Sequence, residues 1–115
     1  MTIREIKDLL DAEILLGNEE LEGNDADFVF SSDMMSDVLA YAEEHSILIT
    51  GLCNAQVVRT AEMMDIRCII FVRNKQPDTL MLSMAEDRNI VILATKHQMF
   101  TTCGILYKHG LRGGA

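Results

Sequence analysis

Three apolar runs constrain this chain more than anything else in it: Ile47-Leu48-Ile49, Cys68-Ile69-Ile70-Phe71-Val72 and Ile90-Val91-Ile92-Leu93. None is interrupted by a polar residue. A strand with one wet face alternates apolar and polar side chains, whereas a strand covered on both faces has no polar side to show. The runs recur about 22 residues apart, which suits a right-handed crossover through a helix. The intervening stretches read as helices. Asn54 caps one with Ala55, Val58, Ala61 and Met64 or Asp65 on successive turns. Pro77 suits the first turn of another that runs to about Arg88. Lys96 to Lys108 forms the last, with Met99, Cys103 and Leu106 inward and Gly110 as its stop. Strand-helix units with doubly buried strands predict a three-layer α/β/α fold around a mainly parallel central sheet.

A lead-in of residues 1–45 precedes the three strand-helix units of 46–110. Ile3, Ile6, Leu9 and Leu10 mark a helix over 3–12, opened by a Thr2/Glu5 capping box. Glu13 to Leu16 reads as a strand, Glu19 to Asp27 as an exposed acidic loop and Phe28 to Phe30 as a second strand. Ser31-Ser32-Asp33 offers N-caps to a helix with Met34 or Met35, Val38, Leu39 and Ala42 on one face. Residues 111–115 read as a frayed tail. A length of 115 residues makes all of this one domain, 1–115.

Charge and composition exclude several classes of function. The net charge of −8 argues against nucleic acid and anionic membrane surfaces, both of which are held by Lys and Arg. No apolar run approaches membrane-spanning length, and the first residues lack a signal-peptide apolar region. Cys53, Cys68 and Cys103 are odd in number and widely spaced, with no CxxC, so they read as reduced thiols of a cytoplasmic protein. No metal site or cofactor is expected. Met34-Met35 and Met63-Met64 are adjacent pairs, and two neighbours on a helix cannot both face the sheet. Their outer members would form an apolar patch for a partner or a second copy.

Catalytic motifs are missing. Neither GxGxxG nor GxxxxGK[ST] follows a strand, and no GxSxG elbow occurs. His45 and His109 fall near helix C-termini, where a cation is favourable. His97 falls at the C-terminal edge of the sheet. Cys53 sits at a strand-to-helix turn, where a helix N-terminus lowers a thiol pKa. An enzyme built on either residue would still lack a paired base or an oxyanion partner.

A ligand of an open parallel sheet binds beyond the C-terminal ends of the strands. Those ends carry Ser31, Ser32, Asp33, Thr50, Gly51, Asn54, Arg73, Asn74, Thr95 and Lys96, with Thr101 and Thr102 one turn into the last helix. Hydroxyls, amides and bases gather there in an otherwise acidic chain. Helix N-termini point at the same edge and favour an anion. Ordinary caps and turns use the same residue types.

These landmarks resemble the DRTGG domain family. The resemblance rests on Ile47-Leu48-Ile49-Thr50-Gly51, on the strand from Cys68 to Val72, on Pro77 and on Met99-Phe100-Thr101-Thr102. The lead-in, with Val29-Phe30-Ser31-Ser32-Asp33, is similar to the N-terminal domains of HPr kinase and of the Mur ligases. The motifs that name the family are replaced. Leu52-Cys53-Asn54 stands where Asp-Arg-Thr would follow Thr50-Gly51, and Arg73-Asn74 stands where Gly-Gly would end the second strand. The resemblance implies a non-catalytic dimerisation or regulatory module of the kind appended to phosphate acetyltransferase or CBS-containing pyrophosphatase. Two functions are therefore expected. One is a regulatory or interaction module, homodimeric or serving a protein partner encoded elsewhere. The other is a sensor that binds a small anionic metabolite or nucleotide at the strand ends.

Overall fold

The computed structural model describes residues 1–17 and 25–114. Its elements run α1 (Ile3–Leu9), β1 (Glu13–Leu16), β2 (Val29–Ser31), α2 (Met35–Tyr41), β3 (Ile47–Thr50), α3 (Ala55–Met63), β4 (Cys68–Phe71), α4 (Thr79–Glu86), β5 (Val91–Ala94) and α5 (Met99–Lys108). The five strands form one sheet in the order β1-β5-β4-β3-β2. β2 through β5 are parallel in sequential register, and β1 pairs antiparallel with β5. The parallel set therefore has four members, because β2 of the lead-in joins it.

Each unbroken apolar run splits between two cores. Ile47, Ile49, Cys68, Ile70, Val91 and Leu93 face α1 and α5, packing with Ile3, Ile6 and Leu106. Leu48, Ile69, Phe71 and Ile92 face the other way, against Val38 of α2, Val57 and Ala61 of α3 and Met81 and Ala85 of α4. Alternate side chains of a strand point to opposite faces, so a run apolar at every position fills two layers at once. Three consecutive crossovers lie on one face and α5 returns on the other. The start of α5 reaches over the C-terminal edge of β3 and β4 and borders a gap there.

Local chemistry fixes the helix starts. The Thr2 hydroxyl accepts from the Glu5 N–H while the Glu5 carboxylate accepts from the Thr2 N–H, the reciprocal pair expected of a capping box. The Thr2 backbone N–H, and after it the Thr2 side chain, hold the Glu5 carboxyl below the ordinary glutamate range. Asn54 accepts from the Val57 N–H and Asp78 from the Met81 N–H. Pro77 therefore lies one residue ahead of the cap rather than in the first turn. Gly17, just past β1, has φ +92°, and a Cβ there would lie 2.9 Å from Val91 Cγ2. Only glycine lets the chain leave β1 this close to β5.

Several boundaries differ from the sequence reading. The first helix ends at Leu9, and the last begins at Met99, with Gln98 as its N-cap. Ser31, Ser32 and Asp33 do not cap α2, whose N-cap is Met34 without a side-chain bond. Ser32 instead closes a short turn, its Oγ accepting from the Met34 N–H at 2.9 Å. The expected acidic loop lies outside the described residues over 18–24. Its end is not exposed throughout, since Ala26 is buried in the α1/α5 core. Arg112, in the stretch expected to fray, bridges Phe28 in parallel. Its N–H donates to Asp27 O and its carbonyl accepts from the Val29 N–H.

Candidate functional site

The gap at the C-terminal edge is a cavity of about 250 Å3 lined by Asp33, Gly51, Val72, Arg73, Gln98, Met99 and Phe100. Four segments build it. Asp33 comes from the β2–α2 loop. Its Oδ1 accepts from the Gly51 N–H at 2.7 Å and from the Thr50 hydroxyl at 3.1 Å, which clasps the end of β3. Thr50 Oγ1 in turn accepts from the Leu52 N–H at 3.1 Å. The clasp leaves Asp33 Oδ2 unengaged among the described residues.

Arg73 follows β4 in a two-residue turn. Arg73 and Asn74 both take left-handed φ values, 57° and 54°. The turn is pinned from β5's continuation: Arg73 N–H donates to His97 O at 2.9 Å and Asn74 N–H to Thr95 O at 2.7 Å. This aims the guanidinium across Gly51, where a Cβ would come within 2.6 Å of Arg73 Nη2. A glycine at 51 is what allows that approach. The guanidinium has no ion pair or hydrogen bond among the described residues.

The fourth segment is the start of α5. Asn54 and Asp78 occupy the first-turn amides of α3 and α4, but no side chain caps α5. Its first N–H groups stay open beside Met99 and Phe100, on the cavity wall. A guanidinium and uncapped helix amides beside one cavity are donors of the kind that an anion accepts from.

Of the twelve residues expected at this edge, Asp33, Gly51 and Arg73 meet in the cavity. The others are used elsewhere. Thr50, Thr95 and Thr102 are buried. Thr95 Oγ1 donates to Leu10 O at 3.1 Å, and Thr102 Oγ1 to Gln98 O at 2.9 Å. Asn54 is spent as a cap and Ser32 on its own turn. Asn74 Oδ1 accepts from Gln76. Ser31 lines a separate apolar cleft of about 140 Å3 with Cys103, Tyr107 and Leu111. Lys96 and Thr101 are exposed outside the cavity. Gln98, Met99 and Phe100 escaped the sequence reading because the last helix was started at Lys96. Starting it at Met99 moves these three residues to the strand ends.

Two alternatives carry less. A cavity of about 540 Å3 lies at the opposite edge of the sheet among Glu62, Asp65, Arg67, Arg88 and Asn89. Its Arg88 is already paired with Glu62 at 2.6 Å. Cys53 is not an activated thiol. Burial pushes its pKa up, Lys75 offsets this in part and Asp78 adds to it. Cys68 is buried within β4 and shifted up by the same cause.

Among known proteins, the model of the DRTGG domain matches residues 5–108. The fold is similar to a crystal structure of the CBS and DRTGG domains of the regulatory region of Clostridium perfringens pyrophosphatase, complexed with its activator diadenosine tetraphosphate. The TM-score is 0.75 at 23% identity, over 91% of this chain and 45% of that one. This chain thus spans under half of that regulatory region. No helix among the described residues is long and apolar enough to cross a membrane.

Proposed function

Because this chain belongs to the DRTGG domain family, we propose that it is a non-catalytic, cytoplasmic regulatory module that senses a small anionic metabolite or nucleotide. The carrying observation is the unpaired Arg73 guanidinium, aimed over Gly51 into the cavity where α5 begins without a cap. The related regulatory region, crystallised with a nucleotide activator, supports a ligand of this charge. The replacement of the family's Gly-Gly by Arg73-Asn74 also has a physical reading. Two consecutive left-handed residues are what a Gly-Gly pair supplies without strain. This chain keeps the turn and puts a cation on it, at a cost of about 1–2 kcal/mol for a non-glycine residue in that conformation.

Arg73→Gly is therefore the informative variant. It preserves the turn and removes only the guanidinium. In a thermal-shift screen of nucleotides, sugar nucleotides, acyl phosphates and coenzyme A, a ligand at a hundred times its Kd adds about 2.7 kcal/mol, or roughly 10 °C. Arg73→Gly should hold or raise the unliganded Tm and weaken the binding of any hit by about 10–100-fold. A hit with unchanged affinity in Arg73→Gly would reject this site.

The signal then passes to a second copy or to a protein partner. Met34 and Met63, the outer members of the two methionine pairs, are 61% and 72% exposed, and Tyr41 at the end of α2 is 72% exposed. This apolar surface favours a homodimer through the α2/α3 layer. Sedimentation at high concentration should show a dimer that Met63→Glu converts to monomer. A monomer in the wild type leaves the protein-partner version.

A further inference from the structure

Phe100 is 88% exposed, the most exposed large apolar side chain among the described residues. A single apolar residue in water is ordinary. This one is on the wall of a polar cavity, in the first turn of α5, beside Arg73, Asp33 and Gln98. The three chemistries around that cavity select for different parts of one ligand. Arg73 and the open amides of α5 take phosphate oxygens. Asp33, with Oδ1 engaged by Thr50 and Gly51 and Oδ2 left over, can accept hydrogen bonds from hydroxyl groups. Phe100 offers a ring face to a planar group.

Size narrows the choice further. Pockets that bury a whole small ligand enclose about 300–1,000 Å3. A cavity of about 250 Å3 holds only part of one, and the remainder must lie on the rim. The rim carries the aromatic ring. We infer that the site takes a nucleoside monophosphate, with the phosphate at Arg73, the ribose hydroxyls at Asp33 and the base stacked on Phe100. This rests on the anion-site reading above and names its ligand class.

The chain contains no Trp, so Phe100→Trp introduces a single tryptophan, excited apart from the two tyrosines, at the stacking position. AMP should quench its emission, and ribose 5-phosphate should bind without quenching. In the wild-type protein, calorimetry should show AMP binding on the order of tenfold tighter than ribose 5-phosphate, a modest value for a base stacked on an aromatic ring. Phe100→Ala should erase that difference and leave ribose 5-phosphate unchanged. The 2′,3′-dideoxy analogue of AMP should bind several-fold more weakly than AMP, as expected when a carboxylate loses its hydroxyl partners. Equal affinities for AMP and ribose 5-phosphate would overturn the nucleoside assignment and leave the anion site standing. Binding of neither would overturn both. A Phe100→Ala protein that keeps its AMP affinity but loses a dimer would overturn the stacking role and assign the ring to a second copy.

Discussion

Gly51→Ala is expected to remove anion binding while leaving the fold intact. The added Cβ would fall 2.6 Å from Arg73 Nη2 and 3.5 Å from Asp33 Oδ1. The nearer atom is the far end of a long, unpaired side chain, so the conflict is relieved by swinging the guanidinium away. The backbone at 51 is not left-handed, and alanine adopts it freely. Gly51 is buried, but its close neighbour is a movable arm, so denaturation curves of variant and wild type should agree within about 1 kcal/mol. Affinity should fall by about 10–100-fold, the worth of one charge-assisted contact. The loss should match that of Arg73→Gly, and the double variant should lose no more than either alone. Additive losses would mean that Gly51 and Arg73 do not act through the same contact.

Ile70→Ala should produce the largest loss of stability. Ile70 is fully buried at the centre of β4, itself the middle strand of the sheet. It packs in the layer under α1 and α5 with Ile49, Val72 and Leu93. Neighbours on a hydrogen-bonded sheet cannot close over a missing side chain, so the substitution leaves a cavity. The expected cost is about 2–5 kcal/mol. Against a total of about 5–15 kcal/mol, that is a large share. The Tm measured by circular dichroism should fall by roughly 10–20 °C. A drop of only a few degrees would mean that the two-layer core tolerates repacking at its centre.

The parallel strands were readable because their constraint is strong. Ile47, Cys68 and Ile90 each begin a run that has no polar face, and a doubly covered strand is the structure that needs none. The Thr2/Glu5 box and the Asn54 cap were readable for a related reason, since each is a short-range bond between residue types suited to nothing else there. The start of α5 was not. Lys96 and His97 carry helix-compatible side chains, but their backbone is committed to the turn after β4, whose Arg73 N–H donates to His97 O. That bond joins residues distant in sequence, so nothing near position 97 announces it.

The site was legible as an edge and not as a cavity. Strand ends were found correctly, but polar residues at such ends divide into those that hold the turn and those that face the gap. Thr50 and Thr95 look like ligand hydroxyls in the sequence, yet both are buried, and Thr95 is bonded to Leu10. Which hydroxyl is free depends on tertiary partners. Arg73 was legible by charge, but its orientation depends on a left-handed turn that is commonly glycine.

The bond between Thr95 and Leu10 joins positions 85 apart, and among the described residues β1 pairs with β5 alone. During synthesis β1 is therefore made well before β5, the strand it pairs with. Ile14, Leu15 and Leu16 wait without their partners while all four parallel strands are made. The parallel strands can pair in the order in which they emerge, whereas this edge closes only once β5 has been made. A ribosome stalled before β5 would thus hold an α1 that can already pack on β3 and β4, and a β1 still waiting for the strand it pairs with.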